Sequence, residues 1–395
     1  MNNRHRMIRA LSCCLCLLVI ISGCDIQIGG WGQAKYERTV QRQAPINPGS
    51  KLYVETSSGS ITITGGDVTE CSVIAEICGR APAEEEAQLL VEQVKIELET
   101  VGDTMTVKAD KPPSRNKRSI SISYDITVPK QTNIECASSY GAIEIANIHG
   151  ETKGKTSSGS IEAKNIEGPT NLDTSYGSVN CRNITGDNIT VKSSSGSITV
   201  EIIRGSALLT TSYGSIICTD MSDGDIKLKT SSGKIRLSNV SFGDCDAHTS
   251  YGSVVSDQLK GKLIKLHSGS GSINLADSSA DTTNLSTSYG RITCRQITTN
   301  EITAKSGSGN LDIVCSDSTP DEIVADLVTS YGNIDLVAPQ NFAGQVDLST
   351  SYGSIRTNRP ITINGQISKK KLKGTIGEGN GKLHMQTSSG SINLQ

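Results

Sequence analysis

The chain has 395 residues with 20% charged side chains and a formal net charge of −2, and its aromatic residues are 1 Trp, 10 Tyr and 2 Phe. That balance is not the high-charge composition of a disordered chain, and it leaves no basic footprint for nucleic acid. With 35% hydrophobic residues and 39 Gly, one large conventional core is also excluded; a thin, repetitive core is the alternative.

In chain order, residues 1–23 read as a lipoprotein signal peptide. Arg4, Arg6 and Arg9 form a basic start, and Ala10 to Ile21 is an apolar run of 12 residues, too short to span a bilayer as a helix. The segment ends in Ile21-Ser22-Gly23-Cys24, which resembles a bacterial lipobox, with cleavage between Gly23 and Cys24 and acylation (diacylglycerol and palmitate) of the Cys24 thiol. Such lipid anchors a protein without a spanning helix. Asp25 resembles an inner-membrane retention signal of proteobacterial sorting. Cleavage leaves 35 basic and 40 acidic residues, a formal −5. The expectation is an extracytoplasmic, membrane-anchored protein.

Residues 24–50 read as the lipidated N-terminus and a linker, and 51–130 as a strand-rich cap. Strands are expected at 51–56, 60–64, 69–78, 93–100, 104–109 and 119–128. A helix is expected near 82–92, because Glu84 to Glu86 suit its positive end and Ala87, Leu90, Val91 and Val94 share one face. Pro112-Pro113 with Arg115, Lys117 and Arg118 reads as a polar loop.

Residues 131–358 are dominated by one motif, Ser/Thr-Ser-Tyr-Gly or Ser/Thr-Ser-Ser-Gly. With an earlier and a later copy its glycines are Gly59, Gly141, Gly159, Gly177, Gly196, Gly214, Gly233, Gly252, Gly271, Gly290, Gly309, Gly332, Gly353 and Gly390. From Gly141 to Gly309 they recur every 18 or 19 residues, the mark of a solenoid. In most copies apolar residues lie seven and five before the glycine (Ile189 and Val191) and two and four after it (Ile198 and Val200), with a further one often seven after, as Ile166 and Ile184. Period-two alternation means strands with one buried face. The parity flip at the glycine calls for a corner, where glycine supplies backbone freedom and the Ser/Thr hydroxyls bond locally.

From Tyr140 to Tyr289 tyrosine precedes the glycine in every second copy, with Ser158, Ser195, Ser232, Ser270 and Ser308 between. Two copies per coil would stack Lys155, Lys192 and Lys229 directly; one copy per coil interleaves them with Asp173, Thr210 and His248, which avoids like-charge neighbours. Small residues four after the glycine in tyrosine copies (Cys181, Cys218, Ser256, Cys294) suggest rings pointing inward and needing room. One copy per coil is therefore expected. Residues 359–395 read as C-terminal terminating strands with a charged hairpin from Ser368 to Gly381.

Eight cysteines follow Cys24, six of them in repeats, where they read as buried thiols serving as small apolar residues. Cys71–Cys78 is a disulfide candidate only if the chain turns between them. His248 and His267 share an outward column on successive coils, with Asp246 on the same face, and are weak candidates for a metal site against a solvated polar ladder. Asp220, Asp223 and Asp225, like Asp244 and Asp246, read as turns. No catalytic constellation and no cofactor motif emerge.

The Ser-Ser-Gly-Ser-Ile copies, the Glu-rich helix and the lead-in Tyr124-Asp125-Ile126-Thr127-Val128-Pro129 resemble the bacterial putative-adhesin family of β-helix repeat proteins. The resemblance implies a β-solenoid, usually envelope-associated and of unassigned function, and it carries over no binding residues. The reading is an all-β protein: a β-solenoid (β-helix) of about 19-residue repeats with an N-terminal strand-rich cap containing one short helix. Its expected role is non-catalytic, presenting a rigid surface for binding or adhesion to an envelope protein or glycan. The alternatives are a carbohydrate-active β-helix enzyme and a self-assembling structural module.

Overall fold

A computed structural model describes residues 33–113, 117–363 and 368–395. The signal segment with Gly23, Cys24 and Asp25, and Arg115 of the expected loop, lie outside the described residues. The rest is an all-β solenoid with one helix among the described residues. Each coil has one strand running into a corner and one leaving it, as in Thr152–Thr156 and Ile161–Glu167. Thr152 lies opposite Ile134 on one side and Thr170 on the other, and Thr170 lies opposite Ile189. One copy therefore makes one coil. Lys155, Asp173, Lys192, Thr210 and Lys229 follow one another across the sheet, so the lysines are interleaved as their charges require.

The alternating aliphatic residues fill a narrow channel; Ile189, Val191, Ile198, Val200 and Ile203 of one coil are at most 1% exposed. The corner that closes the channel depends on a buried hydroxyl. The Ser or Thr three residues before each corner glycine is buried in all fourteen copies. Thr156 Oγ1 accepts the N–H of Gly159 at 3.1 Å and donates to the carbonyl of Gly141 in the preceding coil at 3.0 Å. Thr174 repeats the pair toward Gly177 and Gly159, and Thr211 toward Gly214 and Gly196. In the first coil Thr56 bonds instead to Ile122 O.

The glycine is required by space more than by conformation. Among the corner glycines only Gly59 has a positive φ, 120°. At Gly159 a Cβ would overlap the carbonyl of Gly141, and the same clash recurs coil after coil. The expected role of glycine as a source of backbone freedom is thus corrected to one of close approach between coils.

A second corner lies six residues after the glycine. Asn147, Asn165 and Asn183 there take left-handed φ of 59°, 54° and 54°, and this single bulge explains why the next buried residue falls seven after the glycine rather than six. Their side chains form a ladder: Asn165 Nδ2 donates to Asn147 Oδ1 at 2.8 Å and Asn183 Nδ2 to Asn165 Oδ1 at 2.9 Å. Ile202 occupies the same column with φ 58°, a conformation that costs a β-branched residue roughly 1–2 kcal/mol.

At the N-terminal end β1 (Ala34–Pro45), β2 (Lys51–Thr56), β3 (Ile61–Gly66) and β4 (Glu70–Ala81) precede helix α1 (Glu84–Glu92), followed by β5 (Lys95–Val101), β6 (Thr104–Asp110) and β7 (Ser119–Pro129). β2 and β3 form the first coil around Gly59 and pair in parallel with the Gly141 coil. Below them β6 extends one sheet and β7 the other, and antiparallel pairing continues through β4 to β1 and through β6 to β5. α1 packs on β4 and β1 with Ala87, Leu90 and Val91 buried. β1 lies within the stretch expected as linker. Arg38 Nη2 donates to Val94 O at 2.6 Å and Arg42 Nε to Ile96 O at 2.9 Å, so guanidinium groups lace β1 to the other sheet where aliphatic residues would be looked for.

At the C-terminal end the order of coils departs from the order of the chain. The strand Gly381–Thr387 lies between Val324–Thr329 and Gly344–Thr350, parallel to both. Thr387 donates to Gly332 O at 2.8 Å and Thr350 to Gly390 O at 2.7 Å, so Gly332, Gly390 and Gly353 stack in that sequence. Beyond it Lys371–Ile376 lies antiparallel on Gly344–Thr350, and the short strand Thr362–Ile363 pairs with Lys371–Ile376 in turn.

Replacing Thr211 by Val keeps its shape and strands one buried N–H and one carbonyl; stability should fall by about 2 kcal/mol in denaturant unfolding, against less than about 0.5 for the surface change Thr210→Val. Ile202→Asn should instead raise stability by about 1 kcal/mol, since asparagine accepts the left-handed backbone and completes the ladder.

Candidate binding surface

The hydroxyl that closes each corner is drawn inward, so the next two residues must turn outward around it. The residue directly before the glycine is therefore exposed: Tyr140, Tyr176, Tyr213, Tyr251, Tyr289, Tyr331 and Tyr352 are 70–82% exposed. This corrects the expectation of inward rings. The small residues at Cys181, Cys218 and Cys294 are buried on the opposite side of the turn and make no room for tyrosine.

In space the column reads Ser58, Tyr140, Ser158, Tyr176, Ser195, Tyr213, Ser232, Tyr251, Ser270, Tyr289, Ser308, Tyr331, Ser389 and Tyr352. Alternation is unbroken, because the inserted coil places Ser389 between two tyrosines that are adjacent in chain order. With strands ~4.8 Å apart the row is about 60 Å long and its rings recur at roughly 10 Å. Two columns flank it. One is serine except for Gly269 and Gly307; the other, just after the glycine, is mostly serine with Lys234 and Arg291 as its only charges. Lys370 Nζ lies 5.7 Å from the Tyr352 ring at the far end.

The outward faces of the sheets carry mixed charge. His248 and His267 do meet, with ring centroids 4.6 Å apart and planes 8° from parallel. Stacked rings direct their nitrogens side by side rather than toward one point, and His267 Nδ1 is engaged by Ser286 Oγ at 2.8 Å. Partial burial, then the neighbouring His248 and Lys265, lower the His267 pKa; Asp246 opposes them. Asp246 pairs with Lys265 at 3.4 Å. Among the described residues no three His, Cys, Asp or Glu side chains gather to hold a metal ion. Asp220 and Asp223 sit in left-handed turn conformations, and Asp225 Oδ1 accepts the N–H of Asp244 at 2.9 Å.

The eight cysteines are free. Cys71 and Cys78 lie on one continuous strand, β4, facing opposite ways, so the chain makes no turn that could join them. Burial pushes the thiols of Cys71, Cys136, Cys181, Cys245 and Cys315 up to about 12, with a further push from Glu135 at Cys136 and Asp246 at Cys245, and an opposing one from Arg359 at Cys315. Burial likewise raises Cys218 and Cys294, each with a further push from a neighbouring thiol.

These features define a class: a β-solenoid closed at its N-terminal end by a helix and carrying a straight row of exposed aromatic rings. The family model described as Toastrack DUF4097 matches residues 49–238 and 215–395, and the chain belongs to that family. No curated protein matches it. Among solved structures it is similar to a putative cell adhesion protein from Clostridium sporogenes, at 10% identity over 90% of this chain and 98% of that one, TM-score 0.20. A putative adhesin from Bacteroides fragilis is 15% identical over 90% and 97%, TM-score 0.20. A putative lipid binding protein from Parabacteroides distasonis is 13% identical over 90% and 96%, TM-score 0.24.

A thiol reagent applied to the folded protein at pH 8 should modify Cys78, which is half-buried, and leave the other seven cysteines of the described residues unlabelled until denaturant is added. Mass spectrometry of the labelled peptides reads the outcome.

Proposed function

We propose that this chain is a non-catalytic, lipid-anchored envelope protein whose solenoid presents a rigid surface for binding or adhesion. The observation that carries this reading is the exposed tyrosine row, held in register by a hydroxyl bond at every corner. Exposed aromatic side chains in a regular array cost solubility and mark interaction surfaces. Their positions are set by the stack, so a partner orders little of the protein on binding. The lipobox at Cys24 supports the anchor: nine residues separate it from Ala34, so lipid would hold the helix-capped end nearest the bilayer, with the row leading away from it.

Two measurements test this reading. In a bacterium that processes lipoproteins, the wild-type chain should incorporate palmitate and sediment with membranes, while Cys24→Ala should lose both and keep its β-sheet circular dichroism. Crosslinking in the intact envelope, followed by pull-down, should recover a specific partner without chemical turnover of it. Release of reducing sugar ends from envelope polysaccharide by the pure protein would instead favour a carbohydrate-active enzyme.

A further inference from the structure

We infer that the tyrosine row binds an uncharged, extended β-1,4-linked glycan, with one ring seated against each disaccharide. The inference rests on the binding role proposed above and names the chemistry of the ligand.

The first argument is that the alternation belongs to the surface rather than to duplication of a two-coil unit. In chain order the last three copies read Tyr331, Tyr352, Ser389, which breaks any two-copy repeat. In space the inserted coil restores Tyr331, Ser389, Tyr352. The chain thus meets the alternating pattern by position in the stack, even where its own order does not.

The second argument is length. Rings on every second coil recur at roughly 10 Å, twice the strand spacing. That is close to the repeat of an extended β-1,4-linked chain, in which successive sugars turn over and every second one offers the same face. A ring on every coil would meet sugars of opposite orientation, and serine at the intervening positions leaves them clear.

The third argument is chemistry. A pyranose face is a sheet of C–H groups that lies well against an aromatic ring, and its rim of hydroxyls needs neutral donors and acceptors. The columns beside the tyrosines supply serine hydroxyls, and the three columns together contain no carboxylate and two cations, Lys234 and Arg291. A polyanion such as nucleic acid or a phosphate-linked polymer would call for a continuous row of cations. A stripe without carboxylates and with only scattered cations, including Lys370 beside Tyr352 and Lys111 on Ser57, matches an uncharged polymer better than a polyanion.

The test uses the full chain, with chitin and cellulose for pelleting and chito-oligosaccharides for calorimetry. Wild-type protein should pellet with both polymers and ignore coiled α-1,4-linked amylose. Affinity should step up from chitotetraose to chitohexaose and hardly change from tetraose to pentaose, since only a whole disaccharide reaches another ring. The double change Tyr213→Ser with Tyr251→Ser should weaken binding to both polymers about tenfold, since a polymer spans all seven rings and loses two, with a melting temperature within about 2 °C of wild type. Tyr213→Trp should keep the affinity. Failure of the wild type to bind either polymer, or equal binding by the double variant, overturns the inference. So does a parallel loss of melting temperature, which would make the rings packing elements. A wild-type dimer in sedimentation that the double variant dissolves would make the row a zipper between two copies and equally overturn it. If the double variant still recovers the envelope partner, the binding role stands and only the glycan row is lost.

Discussion

The solenoid depends on one buried hydroxyl per coil. Each corner must turn the chain sharply while leaving its backbone inside a wall only one strand thick, where an unpaired N–H or carbonyl would cost about 1–3 kcal/mol. A Ser or Thr side chain solves this twice over, taking the N–H of its own glycine and giving its proton to the glycine carbonyl one coil below. The glycine must then have no side chain, because that carbonyl occupies the space of a Cβ. Motif, coil spacing and the outward turn of the following residues all derive from this contact.

Aliphatic burial adds cohesion and excludes one-residue slips, which would turn the channel face to solvent. A directional bond repeated at each corner narrows the remaining choices to one alignment. The asparagine ladder on the second corner has the same character, and Ile202 marks its interruption. Free thiols fit the channel because a cysteine there is a compact apolar group whose ionisation burial suppresses.

Much of this is legible in the sequence, since fold class, coil length and the helix follow from periodicity. Charge interleaving at Lys155, Asp173 and Lys192 correctly gave one copy per coil, whereas the companion argument from small residues at Cys181 and Cys218 reached the same answer for a wrong reason. Those positions answer to the channel, and Tyr176 and Tyr213 to the turn. β1 escaped notice because its inward face carries Arg38 and Arg42, which bond to carbonyls instead of joining an apolar stripe. The bulge at Asn165 left a trace that could have been followed: a buried residue seven after the glycine where strict alternation demands six. The exposure of the tyrosine row left no such trace, because alternation alone cannot say which way a corner residue points.

The inserted coil at the C-terminus has a temporal side. A chain emerges with its N-terminal end first, from a ribosome or from an export channel, and coils can stack as they emerge. The Gly353 coil, however, appears before the Gly390 coil on which it rests. It cannot dock until residues 381–390 have emerged and seated on the Gly332 coil. Growth by addition therefore stops at the Gly332 coil, and the last part of the stack closes as a single late event. A chain cut short before Gly381 would have no seat for the Gly353 coil, so the last coils of the stack are interdependent.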